Sequence, residues 1–232
     1  MDRLRFNKQK FDDNVYMKLI HYIYCFLMAN IGLILVSIPL FVSINFLTIT
    51  TKNIWLFLLS MVFIYPGIAS VFAMINHYLE YKTISPFRFF FQNGLKKFGA
   101  YGLKYGIVTT FLLTVFSVDL LLAYSLPLAQ LTVPFLVLMI GLSFALCLNM
   151  LYFRVRNQTA KEKDIFRAAA YYLLRKWYVS LLNVVLFLLM FSVMFVKPQF
   201  GFIITPSIFL FIIYLNCGKL YQKNERKVEV KE

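Results

Sequence analysis

Apolar residues run along this chain in long stretches separated by short clusters of basic residues. Six stretches reach or approach the roughly 20 residues that a helix needs to cross the hydrocarbon layer: about 19–48, 54–79, 100–126, 131–153, 177–196 and 200–217. Each predicts a membrane-spanning α-helix. The first is long enough to tilt or to break at Pro39, and the second carries the kink signal Pro66-Gly67. The sixth is short, with Pro206 near its start, and is joined to the fifth by a tight turn around Lys197, Pro198 and Gln199. The expected fold is therefore all-α and polytopic, a single transmembrane domain over residues 1–232.

Composition agrees and charge adds an orientation. With 61% hydrophobic and 15% charged residues, a soluble globule would have too little polar surface to cover itself. The net charge of +14 suggests nucleic acid at first sight. However, the basic residues sit between apolar runs rather than on one soluble face, so a nucleic-acid partner is not expected. Of 24 Lys and Arg, 22 fall in the N-terminal arm, the second and fourth connections and the tail, and only Lys52 and Lys197 in the alternate ones. By the positive-inside rule both termini lie in the cytoplasm and the number of spans is even. The run after the charged first 18 residues is too long for a signal-peptide core, so no cleaved leader is expected. Cys25, Cys147 and Cys217 lie inside apolar runs without metal-ligand spacing, and no metal or cofactor is expected.

Two of the basic connections resemble each other. Residues 86–99 read PFRFFFQNGLKKFG and residues 165–178 read IFRAAAYYLLRKWY, in register at an offset of 79. On a helix, Phe87, Phe90, Phe91, Leu95 and Phe98 share a face opposed to Arg88, Gln92, Lys96 and Lys97. Likewise Phe166, Ala169, Leu173, Leu174 and Trp177 oppose Arg167, Arg175 and Lys176. Ser85 and Asp164 are the expected N-caps. Both segments predict cytoplasmic amphipathic elbow helices that lie at the interface and present Arg88, Lys96, Lys97, Arg167, Arg175 and Lys176 to anionic lipid. They imply a parallel internal repeat with units at about 54–126 and 131–196.

The stretches ANIGLILVSIPLFVS (29–43), YPGIASVFAMINHYLE (65–80) and SPFRFFFQNGLKKFG (85–99) resemble the YesL-type membrane proteins of Gram-positive bacteria, a domain family of unknown function. The resemblance covers the first 125 residues best and rests on no catalytic motif. It implies a multi-pass protein of the bacterial cell membrane associated with carbohydrate uptake, with a transport-system protein as its partner.

Few residues offer chemistry. Asp119, inside the third span, reads either as an ion-coupled carboxylate or as a group reaching the outer interface. His21, His77 and Glu80 form an expected polar cluster at the cytoplasmic ends of their spans, where a base is conceivable but no nucleophile stands nearby. Asn30, Asn149, Asn183 and Asn216 either line a polar path or tie helices together, and Gly102 and Gly106 form a GxxxG. Three functions follow in order of support: a non-catalytic accessory or regulatory protein, a small transporter or channel working between the repeat units, and a membrane enzyme acting on lipid or glycan. The first makes the chain not an enzyme.

Overall fold

The computed structural model describes residues 15–48, 53–81, 86–123, 129–196 and 198–219. The N-terminal arm, Lys52, Lys82, Ser85, Lys197 and the basic tail lie outside the described residues, as do the expectations resting on them. Every described element is helical: α1 (Val15–Val36), α2 (Ile38–Phe46), α3 (Ile54–Met61), α4 (Ile64–Tyr81), α5 (Pro86–Phe89), a π-helical turn (Phe90–Leu95), α6 (Lys96–Ala123), α7 (Ala129–Arg156), α8 (Glu162–Arg175), α9 (Trp177–Val196) and α10 (Pro198–Gly218). Five helical stretches are long and apolar enough to cross a membrane: Leu19–Val36, Ile54–Tyr81, Pro86–Ala123, Thr132–Arg156 and Trp177–Met194. Thr205–Gly218, within α10, is apolar but shorter. The chain is an all-α protein of membrane-spanning character.

The breaks follow from the prolines, displaced from where the sequence suggested. The first span stops at Ser37, two residues before Pro39, which sits in the first turn of α2. Proline lacks an amide proton and its ring crowds the carbonyl four residues earlier, so the helix ends ahead of it. The second span breaks at Val62 and Phe63, and α4 restarts so that Pro66 falls in its first turn, where amide protons have no intrahelical partner.

Helix α4 forms the axis of the bundle. From Tyr65 to Ile75 it is buried without interruption, as expected for a helix apolar on all sides, and it packs against α1, α6, α7 and α10. Small residues make this possible. A Cβ on Gly102 would lie 2.7 Å from Pro66 Cα, and one on Gly106 would lie 2.5 Å from the Tyr65 ring. The GxxxG is thus the seam along which α6 meets α4. Gly94 continues it, since its Cβ would meet Ser70 at 3.0 Å.

The elbows depart from expectation in two ways. The first is continuous with the following span, one helical path from Pro86 to Ala123 through the π-turn, whereas the second ends at Lys176 (φ −127°, ψ 47°) before α9 begins. Their buried stripes are also narrower than the apolar faces. Pro86, Phe90, Gly94 and Phe98 are buried in one, and Ile165, Ala169 and Leu173 in the other. Phe87, Phe166, Leu174 and Trp177, expected on the same faces, are 43%, 49%, 75% and 58% exposed. Residues four apart drift by about 40° per step around an α-helix. The wider π-turn offsets that drift, which keeps Phe98 on the buried stripe, whereas in the second elbow drift and the break at Lys176 carry Trp177 outward. Nor is Asp164 an N-cap: α8 begins at Glu162 behind Lys161, and Asp164 sits in the first turn, where a carboxylate favours the helix dipole.

Candidate functional site

A polar cavity of about 320 Å³ opens at the end of the bundle where the elbows lie. The last turns of α4 supply Asn76, His77 and Glu80, the first elbow supplies Phe89 and Asn93, and the start of α6 supplies Lys97. The end of α7 adds Val155 and the following loop Gln158. Phe89, Asn93 and Lys97 recur every four residues, beside the buried stripe, and the π-turn holds them in line. The Tyr214 hydroxyl donates to Asn76 Oδ1 at 2.6 Å, and Asn76 Nδ2 donates to Glu80 Oε1 at 3.0 Å. The His77 ring packs against Tyr81 and Phe89 with centroids 4.6 and 4.4 Å away, and its Nδ1 is buried without a hydrogen-bond partner. Amides, a carboxylate, a cation and aromatic walls suit the binding of a small polar molecule. Among the described residues, the lining offers no serine, threonine or cysteine nucleophile for His77 to activate.

The structure therefore brings His77 and Glu80 together and leaves His21 apart. His21, on α1, lies 3.6 Å from Cys25 Sγ and stacks on Tyr78 at 6.0 Å. Among the described residues, no group of three or more His, Cys, Asp or Glu could hold a metal ion.

A second polar group pins the helices at the same end. Glu162 meets Lys104 at 3.2 Å and Arg154 at 3.8 Å. Arg154 is buried, donates to the Ala160 carbonyl at 2.7 Å, and lays its guanidinium 3.6 Å from the centre of the Tyr101 ring. This group joins α6, α7 and α8.

Asn30, Asn149, Asn183 and Asn216 are all buried and bonded. Asn149 donates to Ser180 Oγ at 3.0 Å, Asn216 donates to Asn183 Oδ1 at 2.7 Å, and Asn183 Nδ2 lies 3.1 Å from Cys217 Sγ. One network thus crosses α7, α9 and α10. Asn30 accepts the Ser207 amide at 2.7 Å and ties α1 to α10. Bonded across helices in this way, these amides hold the bundle together. Asp119 lies on the exposed perimeter of α6 near Val118, Leu121 and Leu122, one turn before the helix ends.

Toward the opposite end the bundle is looser. Cavities of about 390 and 570 Å³, both apolar, flank Phe187 and Phe191, which line each of them. No family model, curated protein or solved structure matches the chain. Its site must be read from its own chemistry.

Unlike Glu80, the cavity residues Asn76, Asn93 and Gln158 were not foreseen from the sequence. Asn76 and Glu80 stand four apart on one helix, a spacing that signals their bond. Asn93 and Gln158 come from separate elements, and only the fold brings them to the same cavity.

Proposed function

We propose that the chain is a non-catalytic six-span membrane protein with both termini in the cytoplasm, acting as an accessory or regulatory component of an uptake system. Its elbow end, with the polar cavity and the basic helices, is the face it offers to a partner and to anionic lipid. The observation that carries this reading is the bundle interior. Aromatic rings run in contact through it, Phe153 with Tyr152, Tyr214 and Phe72 on the elbow side, and Tyr65 with Phe144, Phe187 and Phe191 on the other. The asparagines that could have lined a path are bonded across helices instead, Asn216 to Asn183, Asn149 to Ser180 and Asn30 to the Ser207 amide.

The parallel repeat belongs to the same reading, and burial along the elbows supports it. From Pro86 to Gln92 and from Ile165 to Tyr171, each position has the same degree of burial as its counterpart 79 residues on. Phe90 and Ala169 are both fully buried, and Phe87 and Phe166 are both about half exposed. The 22-to-2 division of Lys and Arg supports the orientation. The YesL-type resemblance supports carbohydrate uptake as the setting.

Two measurements test the proposal. Single cysteines placed at Thr51 and Gln130 in a cysteine-free background are expected to react with an impermeant maleimide added outside intact cells, and one at Lys161 only after lysis. The opposite pattern would overturn the orientation. Protein reconstituted alone in vesicles is expected to leave imposed sugar and ion gradients intact. Flux above that of empty vesicles would instead favour a small transporter, for which the cavity of His77, Glu80 and Lys97 is the natural entrance.

A further inference from the structure

The 390 Å³ cavity is apolar except where Ser37 and Asn45 reach it. Ile68, Met190 and Leu210 line it from three helices and are all buried, while Ile44 and Asn45 are exposed at its rim. Ser37 is 2% exposed, and its hydroxyl has no hydrogen-bond partner in the protein.

Tyr65, Tyr105 and Thr110 also carry buried hydroxyls without a partner, but among the described buried serines Ser37 stands apart. Ser43, Ser60 and Ser70 each donate to the carbonyl four residues earlier, at 2.9, 2.7 and 2.8 Å. Ser37 sits in the break between α1 and α2 with φ −90° and ψ 8°. Its amide takes the Leu33 carbonyl at 3.0 Å, while its hydroxyl is left at the cavity wall. A buried hydroxyl without a partner is costly, so an occupant that brings an acceptor is favoured over a bare hydrocarbon.

Depth identifies the acceptor. Ser37 lies 18 residues beyond Leu19, about 27 Å along a helix and so near the far boundary of a ~30 Å hydrocarbon layer. Leu210 lies eight residues before the end of α10, about 12 Å from the other boundary. The cavity thus spans about one leaflet, from the depth of lipid ester groups to the midplane. We propose that it is a binding site for one acyl chain of a diacyl lipid, with the ester carbonyl accepting a hydrogen bond from Ser37 Oγ. The orientation proposed above assigns that lipid to the outer leaflet.

The test is made in detergent and is therefore independent of orientation. Purified full-length protein is titrated with ester-linked dioleoyl phosphatidylglycerol and with its ether-linked dialkyl analogue, and bound lipid is counted by native mass spectrometry. Wild type is expected to hold one lipid tightly and to prefer the ester by roughly fivefold, the worth of one neutral hydrogen bond. Ser37→Ala is expected to bind both lipids equally. Met190→Trp, which adds bulk to the buried wall, is expected to lose the tight lipid while the Ser37→Ala protein still binds. An ester preference unchanged by Ser37→Ala would overturn the carbonyl contact. Absence of a tight lipid on wild type, or its retention by Met190→Trp, would overturn the site.

Discussion

The seam between α4 and α6 allows a sharp prediction, because the atoms that an added methyl group would meet are backbone atoms. In Gly102→Ala the Cβ would lie 2.7 Å from Pro66 Cα and 2.9 Å from both Pro66 N and Tyr65 O. No rotamer relieves such a contact. Restoring an ordinary separation of about 3.5 Å requires the helices to part by about 0.8 Å, and a gap of that size forfeits a quarter to a half of the dispersion energy along the seam. Overpacking of this kind costs about 1–3 kcal/mol, offset by up to ~1 kcal/mol from the better helix propensity of alanine. The net expectation is a loss of about 1–2 kcal/mol. Gly141→Ala is the control, because its Cβ would meet only Leu181 Cδ2, at 3.9 Å. It is expected to be neutral or slightly stabilising. Reversible unfolding of both variants in mixed micelles, followed by far-ultraviolet circular dichroism, measures the difference. A Gly102→Ala protein as stable as Gly141→Ala would refute the reasoning and with it the closeness of the seam.

Other substitutions separate structural from functional roles. Asn183→Leu removes two partners from the buried amide network and is expected to cost about 1 kcal/mol in the same unfolding assay, with Asn216→Leu adding little more in the double variant because the pair is already broken. Arg154→Lys keeps the charge but loses the planar stack on Tyr101, and a loss of about 1–2 kcal/mol is expected in the same assay. Asp119→Asn is expected to leave membrane abundance and unfolding unchanged, as its carboxylate is exposed, and impaired uptake in cells carrying it would restore an ion-coupling role. Changing Lys96, Lys97, Arg175 and Lys176 together to Gln is expected to abolish the extra protease protection that anionic vesicles give the elbows, at ~1 kcal/mol of attraction per cation. Equal protection of both proteins in neutral and anionic vesicles would leave the elbows as packing devices.

Hydropathy alone revealed the membrane-spanning character, because a helix of about 20 apolar residues has few other places to go. It located the proline breaks to within a few residues, since the effect of Pro39 or Pro66 on its own helix is local. It could not foresee the π-turn, whose path depends on Gly94 settling against Ser70 on another helix. Amphipathicity located the elbows but overestimated what they bury, because the stripe that meets the bundle is narrower than the apolar face. Phe87 and Trp177 lie outside that stripe and are exposed. His77 and Glu80 were legible as polar residues near a helix end, yet their cavity also needs Asn93, Lys97 and Gln158, which meet them only through tertiary packing.

The differing junctions of the two elbows have a mechanical consequence. The first elbow and α6 form one stiff rod of 38 residues, from Pro86 to Ala123. A pull on its basic end is transmitted as a tilt of the whole rod, and the glycine seam passes that tilt to α4. The second elbow is jointed to α9 at Lys176, while Glu162 at its start ties it to α6 and α7. A pull on the second elbow therefore reaches α6 and α7 through ion pairs rather than α9 through a continuous helix, and both elbows lead to the same rod.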